Sequence, residues 1–156
     1  MESLRDLVNA SGLVHVPAVS SEPFRDPGVP IERRVEDLLS RMTLAEKVGQ
    51  MMQVDGRQEA VEQVERYAPG SILHILNDEL DRVIDAVERT RLRVPILVGE
   101  DAIHGHSFHP GATIFPTQLG LACSWDPALA REVARVSARE MVMAGGHWTV
   151  SPALCN

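Results

Sequence analysis

Cysteine is nearly absent from this chain. The two present, Cys123 and Cys155, make neither a CxxC metal pair nor a disulfide framework, so both are expected as reduced, packed thiols. Long apolar runs are missing as well: none approaches the ~20 residues that span a bilayer. The opening MESLRDLVNASGLV lacks the basic start and apolar core of a secretion leader. No membrane partner is expected, and a cytoplasmic location is the default. An excess of positive charge is lacking too, since 15 Lys and Arg stand against 22 Asp and Glu for a net charge of −7. The basic residues are interleaved with acidic ones, which speaks against a phosphate-binding face and a nucleic-acid partner. Aromatics make up only 4%, so Trp125 and Trp148 stand out as candidate platforms for an apolar ligand face. Trp125 precedes a helix cap and is expected to pack; Trp148 falls in an expected buried strand. Apolar residues are not scarce. At 44% of 156 residues they suffice for an ordinary core, domains of this size hiding roughly 70% of their unfolded surface.

Periodicity divides the chain. Residues 1–30 hold four of the ten prolines and no useful helical stripe, and read as an extended N-terminal arm. From Ile31 the spacing of Val35, Leu38, Leu39 and Met42 predicts a helix. Thr43 and Glu46 then form a capping-box signature ahead of Leu44, Val48, Met51 and Met52. The methionines on these stripes are expected in the core. Val61, Val64 and Ala68 predict a short helix ended by Pro69 and Gly70.

Beyond Gly70 strands and helices alternate. Ser71–Leu76 reads as a strand, and Asp78 caps a helix with Leu80, Val83, Ile84 and Val87 on its apolar face. Pro95 opens a strand over Ile96–Gly99, whose unbroken apolar run suits a parallel strand covered on both faces. Asp126 and Pro127 begin a helix carrying Leu129, Val133, Val136 and Met143, stopped by Gly145 and Gly146, and His147–Ser151 forms a third strand. This order implies parallel pairing with right-handed crossovers. It fits a doubly wound sheet or the start of a (β/α)8 barrel equally.

The segment GEDAIHGHSFHPGATIFP, residues 99–116, follows directly on the central strand. The carboxyl end of a strand is where sheets and barrels of this class hold ligands, which singles out Glu100 and Asp101. His74 and Asn77 end the preceding strand and face the same mouth. As neighbours on a strand, Glu100 and Asp101 are expected to point to opposite faces, and so not to flank one bond together. His104 and His106 form an HxH pair, with His109 three residues on. Such pairs open the site of metal-dependent amidohydrolases on barrels. No further ligand accompanies them, however, and Gly105, Pro110 and Gly111 shape a turn in which the histidines bond backbone. No metal or other cofactor is expected.

This segment, the overlapping FPTQLGLACSWDPAL and the earlier PFRDPGVPIERRVEDLLSRMTLAEKVGQM together resemble the amino-terminal domain of glycoside hydrolase family 3, the β-glucosidase and β-xylosidase family. The likeness covers roughly residues 23–156. It implies an α/β fold: an incomplete TIM (β/α)8 barrel over residues 31–156, with about three of eight β/α units. Because the chain stops just past a strand end, a larger enzyme is expected, with the rest of the barrel and a following domain as partners. The implied reaction is retaining hydrolysis of terminal, non-reducing β-D-glucosyl or xylosyl residues in a β-glucoside or oligosaccharide. The resemblance makes Asp101 the substrate-binding aspartate and puts the nucleophile and the acid/base carboxyl outside residues 1–156, so that no catalytic residue is expected in this chain. The alternatives are a barrel amidohydrolase built on His104 and His106, and a non-catalytic sugar-binding or partner subunit.

Overall fold

The structure, a computed structural model, describes residues 22–75 and 78–151. It divides into two units between Met42 and Thr43. In the first, a 3-10 turn at Pro23–Arg25 meets helix α1, Ile31–Arg41. Phe24 is buried beneath the guanidinium groups of Arg25 and Arg41, 4.6 and 5.7 Å from its ring centroid. Asp37 organises this corner, accepting from the Phe24 N–H at 3.1 Å and from two Arg41 nitrogens at 3.0 Å. The Arg41 hydrogen bond holds the Asp37 carboxyl below its ordinary range.

The second unit opens with the capping box. Thr43 Oγ1 accepts from the Glu46 N–H at 3.2 Å, and Glu46 Oε2 accepts from the Thr43 N–H at 2.8 Å, starting α2 at Leu44–Gln50. Glu46 also takes Arg91 at 2.9 and 2.5 Å, and this partner above all brings its carboxyl down to about 2. Thr43→Ala removes one side of the box and is expected to lower stability by about 1 kcal/mol. An unchanged urea midpoint would show that the cap contributes nothing.

The strands are β1 Gln53–Asp55, β2 Ser71–Leu73, β3 Leu97–Glu100 and β4 Trp148–Thr149. Between them run α3 Ala60–Tyr67, α4 Asp78–Arg89, the short α5 Gln118–Ala122 and α6 Pro127–Met143. All pairings are parallel and the order is β1-β2-β3-β4. Consecutive strands laid side by side without reversal form the arc of a barrel, whereas a doubly wound sheet reverses its order at a switch point. Val54, Ile72 and Val98 stand in register across three strands and pack with Val64, Val83 and Val87 of α3 and α4.

Several sequence expectations are corrected here. Among the described residues there are four strands rather than three: β1 is missed because only Val54 of its three residues is buried and the apolar spacing of α2 runs into it through Met52. β2 ends at Leu73 rather than Leu76, because His74 takes a left-handed backbone with φ of 59°. The last strand shortens to two residues, and Trp148 on it is 41% exposed rather than buried. Asp78 lies in the first turn of α4 instead of capping it, and Ala86 replaces the exposed Ile84 on the buried face. Met51 is exposed rather than in the core. By contrast, Asp126 caps α6 as read, accepting from the N–H groups of Ala128 at 2.9 Å and Leu129 at 3.1 Å. Among the described residues no helix is long and apolar enough to cross a membrane.

Candidate functional site

The carboxyl ends of β1, β2 and β3 bring Asp55, His74, Glu100 and Asp101 together. Strand parity decides how. Glu100 lies two residues after Val98 and shares its face, so its side chain turns toward the core. It is 1% exposed, and its Oε1 accepts from the Ile75 N–H at 2.8 Å. Burial pushes its carboxyl above the ordinary range, against the opposing pull of His74.

His74 links the two acidic residues. Its Nδ1 lies 3.2 Å from Glu100 Oε2 and its Nε2 lies 3.4 Å from Asp101 Oδ2. The ring rests against Phe108 at a centroid distance of 5.1 Å. Left-handed backbone is held here in a residue with a Cβ, at a strain of roughly 1–2 kcal/mol, and the contacts around the ring offset it. The expectation that Glu100 and Asp101 diverge is therefore corrected. The strand ends at Glu100, so Asp101 lies past the regular pleat, and both carboxylates reach one imidazole from opposite edges.

Asp101 retains 32% of its side-chain exposure, which leaves a carboxylate at the mouth able to accept from an incoming donor. Asp55 is engaged with Arg57, whose Nη2 approaches to 2.7 Å and which lowers the aspartate to about 2.

The histidine loop is built differently from an ion site. His104 Nδ1 lies 3.0 Å from the Phe115 carbonyl, while its own carbonyl accepts from the Phe115 N–H at 2.8 Å. Gly105 lets the two sides of the loop close, since a Cβ there would run into the Thr113 carbonyl and its φ is 110°. His106 is 1% exposed and stacks on His109 at 5.5 Å, and burial pushes its imidazole below the ordinary range. Neither His106 nitrogen has a hydrogen-bond partner among the described residues. No group of three or more His, Cys, Asp or Glu among them is arranged to hold a metal ion. Glu140 anchors the loop to α6 by accepting from the N–H and hydroxyl of Thr113 at 2.9 and 2.8 Å.

Two further expectations fail. Trp125 is 92% exposed with a φ of 54°, so it does not pack, and Cys123 is exposed rather than buried. Asn77 and Cys155 lie outside the described residues.

Residues 43–155 match the glycosyl hydrolase family 3 N terminal domain. The chain belongs to glycoside hydrolase family 3. It is 32% identical over 153 residues to the periplasmic β-glucosidase of Salmonella typhimurium, covering 92% of this chain and 19% of that protein. A lysosomal β-glucosidase of Dictyostelium discoideum is 26% identical, with 77% and 18% covered. Among solved structures, a β-glucosidase involved in saponin metabolism from intestinal bacteria superposes with a TM-score of 0.66 at 53% identity, over 78% of this chain and 16% of that one. An exo-1,3/1,4-β-glucanase from a Pseudoalteromonas species gives 0.69 at 31% identity, over 87% and 19%. The family 3 chain thus spans about a fifth of the length of these curated relatives. Its four-stranded arc is part of a family 3 barrel. The sequence places His74 at the same mouth as Asp101 but does not single out Asp55 or Arg57. The signal available for the latter pair was the D-x-R spacing just after Val54.

Proposed function

We propose that this chain is the sugar-binding part of a retaining β-glycosidase acting on terminal, non-reducing β-D-glucosyl or β-D-xylosyl residues, with Asp101 accepting hydrogen bonds from sugar hydroxyls. The observation that carries the reading is the place of Asp101: at the end of a central barrel strand, partly exposed, within the family-matched segment. A β-glucosidase from Listeria innocua, 28% identical to this chain, has been solved as a mutant in complex with laminaribiose, which supports a β-glucoside or oligosaccharide as substrate. Retention needs two carboxyl groups about 5–5.5 Å apart on either side of the glycosidic bond. Glu100 is buried and tied to Ile75, and Asp55 is paired with Arg57, so neither supplies one. In this reading the nucleophile and the acid/base lie outside residues 1–156, as do the rest of the barrel and the domain that follows. The cytoplasmic default belongs to the proposal as well. It competes with the periplasm, the compartment named for relatives from Salmonella and Dickeya, and fractionation of the source cells decides.

Residues 1–156 alone are expected to leave aryl β-glucosides intact, because hydroxyl contacts without a nucleophile form no covalent intermediate. Turnover by the pure chain that disappears when one of its own carboxylates is replaced would overturn the assignment.

A further inference from the structure

We propose that His74 is a positioning residue that holds the Asp101 carboxylate for sugar by linking it, through opposite nitrogens of one imidazole, to the buried Glu100. The inference rests on the sugar-binding reading of Asp101. Three observations carry it. First, the connection is continuous and ends on backbone: the Ile75 N–H donates to Glu100 Oε1 at 2.8 Å, Glu100 Oε2 is 3.2 Å from His74 Nδ1, and His74 Nε2 is 3.4 Å from Asp101 Oδ2. Second, the ring has little freedom, being only 10% exposed and flanked by Phe108 at 5.1 Å. Third, His74 keeps a φ of 59°, where asparagine or glycine sits more easily, so what distinguishes histidine here is its side chain rather than its backbone.

Burial pushes the Glu100 carboxyl above its ordinary range, and the buried carboxyl with its 2.8 Å bond to the Ile75 N–H makes a fixed anchor for the ring. Arg57, the nearby cation, is taken up by Asp55 at 2.7 Å.

Two substitutions separate the halves of the ring. In His74→Asn the amide occupies the Nδ1 position and keeps Glu100 company but cannot reach Asp101. In His74→Gln the amide extends to the Nε2 position and can still reach Asp101. In the complete enzyme of the proposed function, assayed on an aryl β-glucoside, His74→Asn is expected to lower kcat/KM about tenfold or more, and His74→Gln to recover most of that loss. Thermal stability should rank the other way, with Asn at or above Gln, because Asn tolerates the left-handed backbone. A merely structural histidine would give one ranking for both measurements. Asn as active as wild type, or Gln as impaired as Asn, overturns the inference. Asp101→Ala, assayed alongside, keeps the two claims apart. If it leaves kcat/KM unchanged, the sugar-binding reading falls; if it lowers kcat/KM while His74→Asn does not, the positioning role alone falls.

Discussion

Replacement of Glu100 by alanine is expected to destabilise the fold by about 3 kcal/mol, because it orphans a buried donor and opens a void together. The carboxyl is 1% exposed and accepts from the N–H of Ile75, itself only 2% exposed, so no solvent takes over the lost bond. Glu100→Gln keeps an acceptor for Ile75 and the side-chain volume, and should lose far less. The pH dependence separates them further. Burial raises the folded-state value of Glu100 above its unfolded value near 4.3, so the fold binds this proton more tightly than the unfolded chain does. Its contribution is therefore fully present below the unfolded value and is lost as pH rises through the folded one. Urea unfolding of the wild type and Glu100→Gln between pH 4 and 7 should show the wild type gaining on the variant toward acid. A pH-independent difference, or a loss under about 1 kcal/mol for alanine, would contradict the buried assignment.

Asp101→Ala is expected to lower kcat/KM of the complete enzyme about 100-fold, corresponding to roughly 3 kcal/mol of lost transition-state binding. A carboxylate accepts from two adjacent hydroxyls, each charge-assisted bond contributing roughly 1.5–3 kcal/mol, and alanine leaves those hydroxyls without that partner. Small anions should not rescue the variant, because the aspartate orients the sugar and does not attack it. Azide rescue with an inverted product would make Asp101 the nucleophile. An unchanged kcat/KM would reduce it to a turn residue.

What the sequence alone determined is local. The Thr43–Glu46 box and the Asp126–Pro127 start are legible because each uses residues within one helical turn, and the alternation of apolar strands and amphipathic helices needs no knowledge of what lies opposite. The likeness of residues 99–116 to family 3 singled out Asp101 by the same kind of contiguous pattern. Tertiary structure alone decided the strand order, and with it the barrel arc, because parallel pairing joins segments separated by whole helices. It decided the early end of β2 as well, where contacts around the His74 ring offset a left-handed backbone that the extended pattern SILHIL does not announce. Trp125 shows the opposite failure, an aromatic expected to pack that the turn before α6 points into solvent. The meeting of His74 with Glu100 lies 26 residues apart in the chain, and the adjacent Glu100 and Asp101 part company in burial although they share a peptide bond. Which carboxylate becomes a buried anchor and which faces the mouth depends on where the pleat of β3 ends, and that is set by its pairing with strands on either side.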